Sequence, residues 1–285
     1  MVVLVTGSNG QLGQSIQFVA KNYSEIDFVF CDSSALDITI KDSIHAAFEQ
    51  YKPKYCINTA AYTAVDKAES EPEKAYSINA NGAKNLAEVC KDFDTTIIHI
   101  STDFVFDGSA TKPYSENDIP NPTGVYGQSK WQGEQMIQEI TEKYFIVRTS
   151  WVYSQFGNNF MKTMLRLAKE REHLSVVNDQ IGTPTSAVDL AETIVKIITI
   201  ERKNSNLNNF GIYNFSNEGQ CSWFDFAKKI FEINKITIDL KPIPTTSFPT
   251  PAQRPKFSVL DKMKIKKTFG ITILDWERSL GTVVF

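Results

Sequence analysis

The stretch "MVVLVTGSNGQLGQSIQFVA" at the start of the chain sets the strongest limit on what it can fold into. A wholly apolar, β-branched run that ends in Gly fits a strand buried on both faces, as in a parallel sheet. Leu12, Ile16 and Val19 then recur at helical spacing. The turn between strand and helix carries Gly7, Gly10 and Gly13, a GxxGxxG spacing. Gly7 permits the tight turn, Gly10 lets backbone approach a pyrophosphate, and Gly13 lets helix and strand pack closely. That arrangement points to a dinucleotide cofactor, with Asn9, Gln11 and Leu12 of the same turn in its site.

The same alternation continues. "DFVFCD", "YCINTAA", "TTIIHISTDFVF" and "KYFIVRTSWVY" read as further strands. Between them lie the helical patterns "IKDSIHAAFEQYKP", "PEKAYSINANGAKNLAEVCKDF" and a helix from Pro122. Strands alternating with helices imply right-handed βαβ units and an α/β, Rossmann-type doubly wound parallel sheet. The expected dinucleotide-binding domain spans 1–150, with about 186–216 returning to the sheet. A smaller C-terminal substrate-binding lobe takes 151–185 and 217–285, where Pro242, Pro244, Pro249, Pro251 and Pro255 break the rhythm. "KMKIKK", residues 262–267, reads as a solvated helix face.

Composition narrows the function. With 42% hydrophobic residues in 285, a core without staples is expected. A formal net charge of -3 gives no basic field and argues against nucleic acid. Cys31, Cys56, Cys90 and Cys221 are scattered singly, which suits a reduced, cytoplasmic setting. His45, His99 and His173 lie far apart, so no histidine metal site is expected. No apolar run reaches membrane-spanning length, and no membrane partner is expected.

Asp32 ends the second strand about twenty residues past the glycines, where an acid receives ribose hydroxyls and favours NADH over NADPH. Asp37, with Ile38 beside it, fits the adenosine end equally well, and spacing does not choose between the two acids. "PTGVYGQSKWQGE" sets Tyr126 and Lys130 one helical turn apart on one face. A free phenol titrates at about 10 and is a poor acid–base group at neutral pH. A close ammonium favours phenolate, and bringing the phenol near neutrality takes roughly 4 kcal/mol. Thr102, at the end of the fourth strand, adds a hydroxyl to the same place. Tyr126, Lys130 and Thr102 are therefore the expected catalytic group.

These residues resemble the extended short-chain dehydrogenase/reductase superfamily, and within it the branch that reduces dTDP-4-dehydro-L-rhamnose. The likeness runs from "GSNGQLGQSI" through "TAAYTAVDKAESEP", "ISTDFVFDG", "VRTSWVYS" and "QIGTPT" to "RPKFSVLD", nearly the whole chain. The resemblance implies reduction of the C4 ketone of that sugar by NADH or NADPH, giving dTDP-L-rhamnose. It implies that Tyr126 donates the proton while Lys130 tunes it and holds the nicotinamide ribose, and that Thr102 hydrogen-bonds the same oxygen. It also puts Ala61, Tyr62 and Thr63 along the cofactor, Asp103 and Trp151 against the sugar, and Asn159 and Arg254 on the nucleotide diphosphate. Some members dimerise through a magnesium held by carboxylates, whose ligands have no identifiable place in this chain. A homodimer and that magnesium therefore stay open. Phe104 stands where the family often has tyrosine. The dehydratases of the fold read Thr-Asp-Glu; Thr102-Asp103-Phe104 lacks that base. Another nucleotide-sugar reductase or an epimerase of the same fold, and a non-catalytic, reductase-like regulatory subunit, are the remaining alternatives.

Overall fold

The computed structural model describes residues 1–203 and 209–283. Residues 204–208 and 284–285, which fall within the expected domain ranges, lie outside the described residues. The opening run forms β1 (Val2–Thr6), and the glycine turn leads into α1 (Gln11–Ala20). Then follow β2 (Asp27–Cys31), α2 (Lys41–Tyr51) and β3 (Tyr55–Asn58). The short helices α3 (Val65–Ala68) and α4 (Pro72–Tyr76) precede α5 (Ala83–Asp92). β4 (Thr96–Thr102), α6 (Val125–Ile140) and β5 (Tyr144–Thr149) complete the alternating run.

A sixth strand, Gly211–Asn214, joins the edge beside β5. The order is then sixth strand, β5, β4, β3, β1, β2, with every pairing parallel. Strand order reverses between β1 and β3, which opens a crevice at their carboxyl ends. Side chains alternate through the sheet. Val3, Val5, Ile57 and Val147 face a core layer with Ile16 of α1 and with Leu190 and Ile194 of a later helix, Ala187–Lys203. Leu4, Cys56, Ile97 and Ile146 face the other layer, with Phe48 of α2, Leu86 of α5 and Ile137 of α6. Each such side chain stabilises the fold by about 1.5–3 kcal/mol when fully buried.

The rest of the chain packs a third cluster, in which Tyr153, Met161, Leu174, Phe226 and Trp276 meet. There the strand His173–Val177 pairs in parallel with Asp239–Ile243. No helix among the described residues is long and apolar enough to cross a membrane.

Two elements depart from the sequence expectation. The helix expected from Pro72 to Phe93 is interrupted by a π-helical stretch, Ser77–Gly82. The widened turn brings the Asn79 side chain onto the loop after β3: Oδ1 accepts from Tyr62 N at 2.8 Å and Nδ2 donates to Tyr62 O at 3.1 Å. β4 stops at Thr102 rather than running on to Phe106. Asp103–Val105 form a single 3-10 turn, capped by the Thr102 hydroxyl accepting from Phe104 N at 3.2 Å.

Candidate functional site

Three clefts that share walls run in series across the carboxyl ends of the strands. The first, of about 300 Å³, is lined by Gly7, Asp32, Asp37, Ile38 and Ala61 among others. Gly7 has φ +65°, and a Cβ there would lie 2.6 Å from Ala60 N, so the turn after β1 closes directly on the chain after β3. Gly13 packs against the same turn, where a Cβ would lie 2.6 Å from Ser8 Cα. Asp32 accepts from Asn9 Nδ2 at 2.8 Å and from Ser34 and Ala35, and these hydrogen bonds, Ser34 first, hold its carboxyl below the usual range. Asp37 accepts from Thr39 N at 2.9 Å. Both acids face this cleft.

The second cleft, of about 590 Å³, contains Asn9, Gly10, Gln11, Leu12, Ala61, Thr63, Thr102, Asp103, Tyr126 and Lys130. Tyr126 and Lys130 lie in the first turns of α6, whose opening N–H, at Val125, donates to Glu69 Oε1 at 2.9 Å. The Tyr126 ring is half-buried and packs edge-on to Phe104, centroids 5.5 Å apart. Burial pushes its phenol up to about 12, with Thr102 opposing and the Asp103 carboxylate adding to the rise. Burial pushes Lys130 down to about 8, opposed by Glu134. The lowering of the phenol by Lys130 expected from their spacing is not found. The lysine Nζ is turned toward the sheet, donating to Ile100 O at 2.7 Å and meeting His99 Nε2 at 3.1 Å. Tyr126 therefore holds its proton at neutral pH, the form a proton donor needs. Asp103 is 2% exposed, and burial pushes it up to about 6, with Ser258 and Thr102 opposing.

The third cleft, of about 540 Å³, shares Thr63, Phe104, Trp151 and Val152 with the second. Trp151 has φ +47° and stacks on Trp223 at 3.5 Å, a strained backbone held by packing. Arg254 enters from the other side. Its Nη2 donates to Asp66 Oδ2 at 2.7 Å, its guanidinium lies 5.8 Å from the centre of the Phe104 ring, and its Nη1 is buried without a partner.

One expected residue, Tyr62, sits elsewhere. Tyr62 is turned away from the clefts: its ring packs with Ala68 and Ala75, and its hydroxyl donates to Glu71 at 2.7 Å, so only Ala61 and Thr63 of that trio line the groove. Asn159 caps the helix Phe160–Glu170 and donates to Gln11 Oε1 at 2.6 Å, on the wall of the second cleft. Sequence reasoning missed Asp66, Asn79 and Trp223, and weighed His99 only as a metal ligand. Asp66 lies inside the stretch TAAYTAVDKAESEP that carried the resemblance, but neither type nor spacing marked it singly.

The model for the RmlD substrate binding domain matches residues 1–285. A dTDP-4-dehydrorhamnose reductase of Aggregatibacter actinomycetemcomitans is 42% identical over 99% of this chain and 97% of its own. A crystal structure of a dTDP-4-dehydrorhamnose reductase from Clostridium acetobutylicum superposes with a TM-score of 0.93 at 43% identity, covering 99% of this chain and 97% of that one. A dTDP-4-dehydrorhamnose reductase from Bacillus anthracis, solved in complex with NADP, gives 0.92 at 43% identity over 98% and 96%.

Proposed function

The chain belongs to the RmlD substrate binding domain family, and from that premise we propose that it reduces the C4 ketone of dTDP-4-dehydro-L-rhamnose to dTDP-L-rhamnose with NADH or NADPH. The observation that carries the reading is the meeting of Tyr126, Thr102 and Lys130 on the second cleft, whose wall continues into the third. The residues fit a nicotinamide dinucleotide. The glycine turn leaves room for a diphosphate at the start of α1, where Gly10 provides no side-chain cap. The buried hydroxyls of Ser101 and Thr149 line the second cleft with no partner among the described residues.

When bound, the reduced nicotinamide supplies a hydride to C4. The chain's own residues do the rest. Tyr126 gives its phenolic proton to the oxygen as negative charge develops there, and the Thr102 hydroxyl hydrogen-bonds that oxygen. Lys130 holds the ribose hydroxyls behind them. The cofactor's adenosine end takes the first cleft, with Asp32 or Asp37 on its ribose. The dTDP-sugar takes the third, with Trp151 and Asp103 at the sugar and Arg254 on the diphosphate by charge-assisted hydrogen bonds. Residues 151–185 and 217–285 are then the substrate-binding lobe. The reaction belongs to the cytoplasm.

The test is to mix the protein with the 4-keto nucleotide sugar and either cofactor and follow the loss of reduced nicotinamide absorbance. No oxidation with either would end the reading. Tyr126→Phe is expected to lower kcat by about 10²–10⁴ while cofactor affinity is kept. Full activity in that variant would remove Tyr126 from the donor role.

A further inference from the structure

The stretch "QIGTPT", residues 180–185, is part of the resemblance, yet no reaction step above uses it. It wraps around Trp151. Thr185 N–H donates to Trp151 O at 3.1 Å, and the Ser150 hydroxyl donates to Thr183 O at 2.8 Å. Gly182 lies against the indole itself, where a Cβ would come 2.5 Å from Trp151 Cε2 and 2.8 Å from its Nε1. The Gly182 backbone is not in the left-handed region, so turn geometry does not call for a glycine there. What the position supplies is the absence of a side chain. Trp223 meets the same indole, centroids 3.5 Å apart and planes 9° apart. Phe160 packs on Trp223 with 4.6 Å between centroids. Trp223 opens the helix Trp223–Ile233, and a reciprocal cap fixes that end. Ser222 Oγ accepts from Asp225 N at 3.1 Å, and Asp225 Oδ2 accepts from Ser222 N at 3.0 Å. Gly182 and Trp223 are also set by one short ladder, in which Ile181 and Gly182 pair antiparallel with Ser222 and Cys221.

We propose that Gly182 and Trp223 are positioning residues: together they fix the Trp151 indole, and through it they set affinity for the sugar end of the nucleotide sugar. The first half stands on packing geometry alone; the second rests on the reductase reading. Trp151 has φ +47°, a conformation that a bulky residue keeps only where its surroundings over-determine it. The hydrogen bond from Thr185 holds its backbone and leaves the side-chain torsions free. The stack and the missing Cβ hold the ring. The indole lines both the second and the third cleft, whereas Trp223 lines the third. A displaced indole therefore alters the place where nicotinamide and sugar would meet. A Cβ on Gly182 is not absorbed by a small ring shift, because the ring must slide or tilt off Trp223. Core packing alone would ask only for bulk at these places. A flush aromatic pair beside a residue with no side chain specifies one ring orientation.

The first readout is circular dichroism of the purified chain, in which two stacked indoles give an exciton couplet. Of the four tryptophans, only Trp151 and Trp223 stack on one another among the described residues. Trp223→Phe removes the couplet and so identifies it. Gly182→Ala keeps both tryptophans, and the couplet is expected to weaken or vanish because the indole is displaced. An undiminished couplet in Gly182→Ala would overturn the proposal whether or not the protein turns over substrate. Where Gly182→Ala does not fold, the double variant with Trp151→Phe decides, since the smaller ring makes room for the alanine. Its unfolding midpoint should match that of Trp151→Phe alone, and a midpoint lowered in both backgrounds would show that the alanine clashes with something other than the indole. The second readout is calorimetric titration with dTDP-L-rhamnose and, separately, with dTDP. Trp223→Phe is expected to weaken dTDP-L-rhamnose binding about 2- to 10-fold, the worth of one aromatic pair, and to leave dTDP binding unchanged. A role in packing alone would lower the unfolding midpoint and leave both affinities in place. That result, or an equal loss for both ligands, would sink the link to the sugar. No binding of dTDP-L-rhamnose to the unmodified chain would end the reductase reading and the second half with it, while the couplet still decides the first.

Discussion

Asp103 has a carboxylate oxygen, Oδ2, that is buried with no hydrogen bond, and it sits one residue from the Thr102 hydroxyl. Burial raises it from 3.8 to about 6, so the folded state holds the proton more tightly than the unfolded chain does. Its contribution to stability is therefore full below about pH 4 and is lost as pH rises through about 6, up to about 3 kcal/mol. Asp103→Asn cannot titrate. Its stability relative to the wild-type chain should rise by up to that amount between about pH 4 and 7, read by urea unfolding. A difference that stays flat across that range would show that the carboxyl is not desolvated. Residue chemistry of this kind was half legible in the sequence. Tyr126, Lys130, Thr102 and Asp103 could be picked out by type and order. Their protonation could not, because desolvation depends on what the rest of the chain lays over them.

At the scale of elements, α6 brings Tyr126, the proposed donor, to the cleft only because it can approach the turn after β4. A Cβ at Gly127 would lie 2.2 Å from Phe104 O, a backbone atom that cannot swing aside. Gly127→Ala must push the helix from the turn, and Tyr126 with it. The expectation is a fall in kcat of about 10²-fold with the fold retained by circular dichroism, since misplacement by about 1 Å is that costly. Activity near that of the unmodified chain would show that helix position is not limiting. The elements themselves were largely readable, since β-branched runs and 3.6-residue spacing are local signals. The exceptions, the π-helical stretch at Ser77–Gly82 and the early end of β4, arise where tertiary partners overrule local pattern. At the first the Asn79 side chain is held by Tyr62 and Ser129, and at the second Thr102 caps the new turn.

Across the whole molecule the groove is crossed by polar ties between segments far apart in sequence, among them Gln11 with Asn159 and Asp66 with Arg254. The second is partly exposed, 40% for Asp66 and 22% for Arg254, so it should add no more than about 1 kcal/mol to stability. Arg254→Ala is expected to leave the unfolding midpoint nearly unchanged while raising KM for the nucleotide sugar about 10- to 100-fold, the loss of charge-assisted hydrogen bonds. An unchanged KM would take Arg254 off the diphosphate. The amino-acid order by itself determined the doubly wound sheet, the glycine turn and the residue types of the site, because burial of apolar runs and the backbone freedom of glycine are properties of short segments. Only the tertiary structure decided that Tyr62 turns away, that Asn159 meets Gln11, that Asp66 meets Arg254, and that Lys130 faces His99 rather than the phenol one turn before it. Those contacts span 31 to 188 residues where they cross the sheet or the groove. Spacing along the chain says which side chains share a face, and packing alone says toward which partner each of them turns.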